Sequence, residues 1–124
     1  MNQFKTYTSL SVNDIDVAAD FYRSRLGLEI KQHPEHDVLL VNTGGDTRFM
    51  IYFKEDHTPA IFTVLNFNVD DLESVVGHLS EQGVSFEKLE GTNEKGIAEM
   101  GPTKAAWTRD PSGNWIGFFE GMNF

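Results

Sequence analysis

Cysteine is absent from the 124 residues. Disulfides, thiolate metal sites and a cysteine nucleophile are therefore excluded. Basic residues are scarce: ten Lys and Arg stand against nineteen Asp and Glu, a formal net charge of −9. Such a surface offers no broad basic patch for phosphates, so nucleic acid is not an expected partner. It suits a soluble acidic protein, and at long range it would attract a cationic ligand. No apolar run approaches the roughly 18 residues that span a membrane. The opening Met-Asn-Gln-Phe-Lys has no basic stretch leading into an apolar one, so no signal peptide is expected. These absences together point to a cytoplasmic protein that does not engage membranes.

What is present is ordinary in amount and generous in rings. The hydrophobic fraction is 40%, with ten Phe, three Tyr and two Trp. The length suits one domain over residues 1–124, large enough to bury a core without a structural metal.

The apolar pattern predicts strands and helices in a repeating order. Residues 7–12 alternate as a strand, with Leu10 and Val12 on one side and Tyr7, Ser9 and Ser11 on the other. A helix follows, capped by Asn13 or Asp14. Ile15, Ala18, Ala19, Tyr22 and Leu26 recur at helical spacing, and Gly27 is a natural stop. Strands are expected at 28–33, 37–42 and 48–53, with a turn at 43–46. The order then repeats. Residues 61–69 read as a strand, and Asp70 or Asp71 caps a helix carrying Leu72, Val75, Val76 and Leu79. Gly83 stops that helix. Strands are expected at 84–89, 104–108 and 115–120, with 90–101 as a loop and 110–114 as a turn. Val12, Asp14, Ile15 and Asp16 match Val69, Asp71, Leu72 and Glu73 at a constant offset, which argues for duplication. The expected fold is α+β, with two βαβββ modules at about 4–56 and 60–121.

Two stretches resemble a known family. LSVNDIDVAADFYRSRLGL at 10–28 is similar to the opening "V-x-D…FY…LG" of the vicinal oxygen chelate superfamily, and AAWTRDPSGNWIGFFE at 105–120 to its closing "D-P-D-G-N-x-I-x-L-x-E". That superfamily includes glyoxalase I, bleomycin-resistance proteins and extradiol dioxygenases. The resemblance implies a curled mixed sheet around a central cup, with helices on the outer face. It places Leu10, Val12, Phe67, Val69, Ile116 and Phe118 against the helices. It turns Tyr7, Ser9, Val64, Asn66, Trp115, Gly117 and Phe119 toward the cup. A homodimer is implied by analogy.

Metal-dependent members of that family place His, Gln or Glu ligands on the first and last strand of each half. Carried onto this chain, those positions fall on Tyr7, Ile51, Val64 and Gly117. Val, Ile and Gly have no side-chain donor, so no metal and no other cofactor is expected at the family site. His33 and His36 read as a turn, His57 as part of a connection and His78 as a helix residue. No His has an evident reason to sit beside Ser9 or Ser11, so no nucleophilic triad is expected.

The expected function is therefore metal-free binding of a small apolar or aromatic molecule. Its expected lining is Tyr7, Ser9, Ile51, Val64, Asn66, Trp107, Trp115, Gly117 and Phe119, with Trp107 on an undetermined side of its strand. The alternative is an enzyme of the same superfamily, a lyase, isomerase or glyoxalase-like protein. It would use a displaced metal site or metal-free acid–base chemistry.

Overall fold

The computed structural model describes residues 1–123. The chain forms two compact units, Met1–Thr58 and a second beginning at Pro59. Each contains one four-stranded mixed sheet and one helical segment.

In the first unit, β1 (Thr8–Val12) leads into α1 (Ile15–Asp20). Asp14 is the cap: its backbone is extended, and its carboxylate accepts from the amides of Asp16 and Val17, each at 3.1 Å. A π-helical turn, Phe21–Arg25, then widens the helix, and the Leu26 amide donates to the Phe21 carbonyl. Gly27 follows at φ 72°, the left-handed conformation expected just past a helix. β2 (Glu29–Gln32), β3 (Val38–Gly44) and β4 (Thr47–Phe53) form a meander. Strand order is β1-β4-β3-β2, with β1 parallel to β4 and the rest antiparallel. The core lies between one sheet face and the helical segment. Leu10, Val12, Leu39, Val41, Phe49 and Ile51 are buried there with Ala18, Ala19 and Tyr22. The Tyr22 ring meets the Phe49 ring edge-on, which fixes that side of β4 as the helix side.

The second unit repeats the order. β5 (Thr63–Asn68) precedes α2 (Leu72–Glu81), whose cap Asp71 accepts from the Ser74 amide. β6 (Ile97–Met100), β7 (Thr103–Arg109) and β8 (Trp115–Glu120) complete a sheet of order β5-β8-β7-β6, again with one parallel pair. Leu72, Val76 and Leu79 bury against Ile116 and Phe118. The Phe118 ring stacks on Phe67 and meets Phe86 edge-on.

One expected strand is displaced. Residues 84–89 form no ladder; the strand after α2 is Ile97–Met100, inside the stretch expected to be loop. Both segments lie along the same edge of β7. Residues 97–100 pair with Thr103–Ala106 through a turn at Gly101 and Pro102. The 84–89 segment reaches only the remaining length, where the Glu87 amide donates to the Trp107 carbonyl and Thr108 Oγ1 donates to the Ser85 carbonyl. The hairpin closes the shorter loop and takes most of the edge. Val84 and Phe86 are buried, so their alternation reports burial without strand pairing. No helix among the described residues is long and apolar enough to cross a membrane.

Candidate functional site

Each sheet has one face packed on its helical segment and one free of it. The candidate site residues lie on faces of the second kind. In the second unit, register alone places the side chains. Trp115 pairs with Thr63 and Arg109, Gly117 with Asn66 and Trp107, and Phe119 with Asn68 and Ala105. Directly paired residues share a face. Asn66, Trp107, Trp115, Gly117 and Phe119 therefore lie together, on the side opposite Ile116 and Phe118. Trp107, whose side the sequence leaves open, belongs to this face and meets Phe119 edge-on with ring centroids 6.0 Å apart.

Two hollows flank that pair of rings. One, of about 200 Å³, is lined by Ile61, Phe62, Thr63, Leu89, Trp107 and Trp115. The other, of about 230 Å³, is lined by Asn66, Phe67, Asn68, Phe119 and Met122. Both walls are mainly apolar, with amides and a hydroxyl as the polar groups. The sequence reading missed Thr63 because β5 carries an irregularity. Thr63 pairs with Trp115 and Leu65 pairs with Ile116, so the ladder skips Val64. Val64 is thus the bulge residue, and Thr63 takes the place beside Trp115 that alternation assigns to Val64.

Gly117 is buried on this face. A Cβ added there would overlap Asn66 Oδ1 and come within 2.9 Å of Phe119 Cε2 and 3.4 Å of Thr63 Cγ2. The neighbours already fill the space that a side chain at 117 would need.

Arg109 is the second residue the reading missed. Its guanidinium lies over the Trp115 ring, 5.1 Å from the centroid, and its Nε donates to Glu87 Oε1 at 2.6 Å. Its position two residues beyond Trp107 on one strand was a sufficient signal for the shared face.

In the first unit, the helix-free face carries Ser9 and Ser11 on β1, Leu40 on β3 and Met50 and Tyr52 on β4. Ile51 is not on it. Ile51 is fully buried, pairs with Leu10, and lies on the Phe49 side that meets Tyr22. The expected position is one residue out of step, because both phases of β4 are apolar and no motif anchors the strand. Tyr7 is exposed and lines a hollow of about 290 Å³ with Lys31, His33, Leu40 and Met50 among its walls. Ser9 is exposed and pairs with Met50.

A further difference concerns His57. Its Nδ1 lies 2.6 Å from Ser11 Oγ, so a histidine does sit beside the first strand. The Lys54 amide donates to the Val12 carbonyl and the His57 amide to the Lys54 carbonyl, which folds the connection back over β1. That contact is long-range in sequence, and spacing gave no sign of it. His33 and His36 sit in an exposed turn with their rings 4.6 Å apart, and His33 Nδ1 accepts from the Glu35 amide. That acceptor role places the proton of a neutral imidazole on Nε2 and spends the other nitrogen locally.

The donors for a divalent ion can be checked strand by strand. The helix-free positions on β1 and β4 are Ser9, Ser11, Arg48, Met50 and Tyr52; those on β5 and β8 are Thr63, Asn66, Asn68, Trp115, Gly117 and Phe119. None is an imidazole or a carboxylate. The acid that closes β8, Glu120, is engaged elsewhere: its Oε1 accepts from the Leu72 amide at the start of α2, at 2.9 Å. Neutral hydroxyls and amides are a poor replacement for the waters a divalent ion must release. These residues do not fit the metal that dependent members of such a fold hold.

The family model for the Glyoxalase/Bleomycin resistance protein/Dioxygenase superfamily matches residues 5–118. Among solved structures, a lactoylglutathione lyase from Agrobacterium tumefaciens superposes with a TM-score of 0.71 at 19% identity, covering 95% of this chain and 93% of that one. A putative glyoxalase family protein from Bacillus anthracis gives 0.72 at 19%, covering 94% and 95%. A glyoxalase/bleomycin resistance protein from Catenulispora acidiphila gives 0.70 at 24%, covering 94% and 97%. No curated protein matches. At these identities the likeness concerns the fold.

Proposed function

Because the chain belongs to the glyoxalase/bleomycin resistance protein/dioxygenase superfamily, a fold that hosts both catalysts and plain binders, we propose that it binds a small, flat, largely apolar molecule without a metal. One observation carries this reading: Trp107, Trp115 and Phe119 share the helix-free face of the second sheet beside two hollows. Indole and phenyl faces supply large apolar area with little rotamer entropy to lose, and Asn66 and Thr63 can orient a polar substituent. The hollow beside the tryptophans has the volume of about one or two fused rings. The poor donor set on the strands supports binding through rings over metal chelation.

Trp107 and Trp115 are the chain's two tryptophans, so intrinsic emission reports on this face alone. Titration with the neutral dye N-phenylnaphthylamine should quench tryptophan emission by energy transfer and raise dye emission, to saturation. Trp115→Ala should weaken the dye by roughly tenfold, the loss expected when a ring anchor is removed. Absence of saturable quenching in the folded protein refutes the reading.

A second reading, a metal-free catalyst, draws on the Ser11–His57 pair. A hydroxyl within 2.6 Å of an imidazole is an acid–base arrangement. The same bond also ties the 54–57 connection to β1. Thermal melting of His57→Gln separates the two roles: a lowered midpoint marks a tether, whereas an unchanged midpoint leaves the pair available for chemistry.

A further inference from the structure

We infer that the hollow beside the tryptophans selects an aromatic ligand bearing an anionic group, with Arg109 as the residue that recognises the charge. This rests on the binding reading above and specifies its ligand class. The observation is the placement of one cation. Arg109 pairs with Trp115 across β7 and β8, so both side chains stand on the helix-free face. Trp115 forms part of the wall of the hollow, and the Arg109 guanidinium lies over that ring.

The guanidinium is held and only partly used. Glu87 takes Nε, and the indole takes one guanidinium face. The two Nη groups, four N–H donors in one plane, make no bond to protein among the described residues. Two contacts thus fix the direction of the fork, and its outer edge faces solvent, the side chain being 51% exposed. A fixed planar fork matches a carboxylate or sulfonate, and ordering it beforehand lowers the entropy lost on binding. A ligand ring against Trp107 and Trp115 would bring an anionic substituent to that edge. No cation lines the wall of this hollow itself, and Arg109 reaches it through the Trp115 ring that it covers. The net charge of −9 opposes an anion at long range. At physiological salt that opposition is screened beyond about 8 Å, while a direct contact is not. Local recognition therefore decides the preference.

The test uses two dyes with one ring system. N-phenylnaphthylamine is neutral, and anilinonaphthalene sulfonate adds a single sulfonate. Both are titrated at physiological ionic strength against the whole protein, Arg109→Gln and Glu87→Gln, with tryptophan quenching as the readout. Arg109→Gln should weaken the sulfonate dye by roughly threefold to tenfold and leave the neutral dye within twofold, the range of a partly exposed charged contact. Glu87→Gln keeps an oxygen that can accept from Nε and hold the fork, but removes the negative charge beside it, so it should tighten the sulfonate dye by about threefold. Equal effects of Arg109→Gln on both dyes, or none on either, overturn the inference and leave the binding reading intact. If Arg109→Gln does not fold, the Glu87→Gln comparison decides alone: tightening supports the inference, and no change or weakening overturns it. Failure of the neutral dye to bind the unmodified protein refutes the binding reading itself, and the inference with it.

Discussion

Gly117→Ala isolates the packing of the proposed site in one methyl group. The new Cβ would lie 2.9 Å from Phe119 Cε2 and overlap Asn66 Oδ1. Carbon atoms rest at about 3.5–4.0 Å, so the Phe119 edge must retreat by roughly 0.6–1.1 Å. The Asn66 side chain is exposed and makes no hydrogen bond among the described residues, so its rotation toward solvent is cheap. Phe119 is harder to move because its ring meets Trp107. Overpacking of this kind costs roughly 1–3 kcal/mol, and the middle of that range applies because Asn66 yields easily while Phe119 does not. Replacing Gly in a strand returns about 0.5–1 kcal/mol through the unfolded chain. The net expectation is a destabilisation of about 1 kcal/mol. Urea unfolding followed by far-UV circular dichroism should show a lower midpoint with an unchanged slope, and tryptophan emission should shift as Trp107 repacks. An equal or higher midpoint with unshifted emission would refute the claim that Asn66 and Phe119 close the space over position 117.

Asp110→Ala should be more damaging, by about 2–4 kcal/mol in the same assay, because the buried carboxylate accepts from the Ser112 and Asn114 amides and from Asn114 Nδ2; a loss under about 0.5 kcal/mol would contradict this. Glu120→Ala should lower the thermal midpoint by removing about 1 kcal/mol of support from the start of α2, whereas Glu120→Gln, which keeps an acceptor, should lose only a few tenths; equal losses would show that charge and not hydrogen bonding matters. The Lys54–Asp56 hydrogen bond and ion pair hold the Asp56 carboxyl below its usual value and the Lys54 ammonium above its own. The Asp56 contribution is present above the ordinary carboxylate range and lost as pH falls through the lowered value. The Lys54 contribution is present below the ordinary lysine value and lost as pH rises through the raised one. Both groups are exposed, so Asp56→Asn should track the unmodified protein's stability between about pH 5 and 9, and a clear divergence there would count against a solvated pair.

The sequence was most legible where local chemistry and periodicity agree. Asp14 and Asp71 cap their helices, and Gly27 and Gly83 both take positive φ after them. The 115–120 strand carries its alternation cleanly because Ile116 and Phe118 meet the helix side while Trp115, Gly117 and Phe119 face away from it. Legibility failed where phase had no anchor. On β4, Phe49 and Ile51 are as apolar as Met50 and Tyr52, so composition cannot tell which pair meets α1. At Val64 the alternation is interrupted by a bulge that no residue type announces. The π-helical turn leaves the helical spacing of Ala18, Ala19 and Tyr22 intact and becomes visible only in the Leu26–Phe21 hydrogen bond. Ser11 and His57 are joined by a turn of the connection, a tertiary event with no periodic trace.

The two faces of the second sheet argue further. Its helix side already has the residues a core needs: Ile116 and Phe118 are buried, with Leu72, Val76 and Leu79 packed over them. Alternating polar residues on the other side would complete an ordinary half-solvated sheet. Instead that side carries two indoles and a phenyl ring, each left partly exposed in the folded chain. Stability does not require large rings in that position, since exposed aromatic area forgoes most of the burial that makes such side chains stabilising. Nor are they scattered: register sets Trp107, Trp115 and Phe119 on two adjacent strands, and Arg109 stands over Trp115. Clustered, half-exposed rings beside a hollow, with one oriented cation, are what a flat charged ligand would complete.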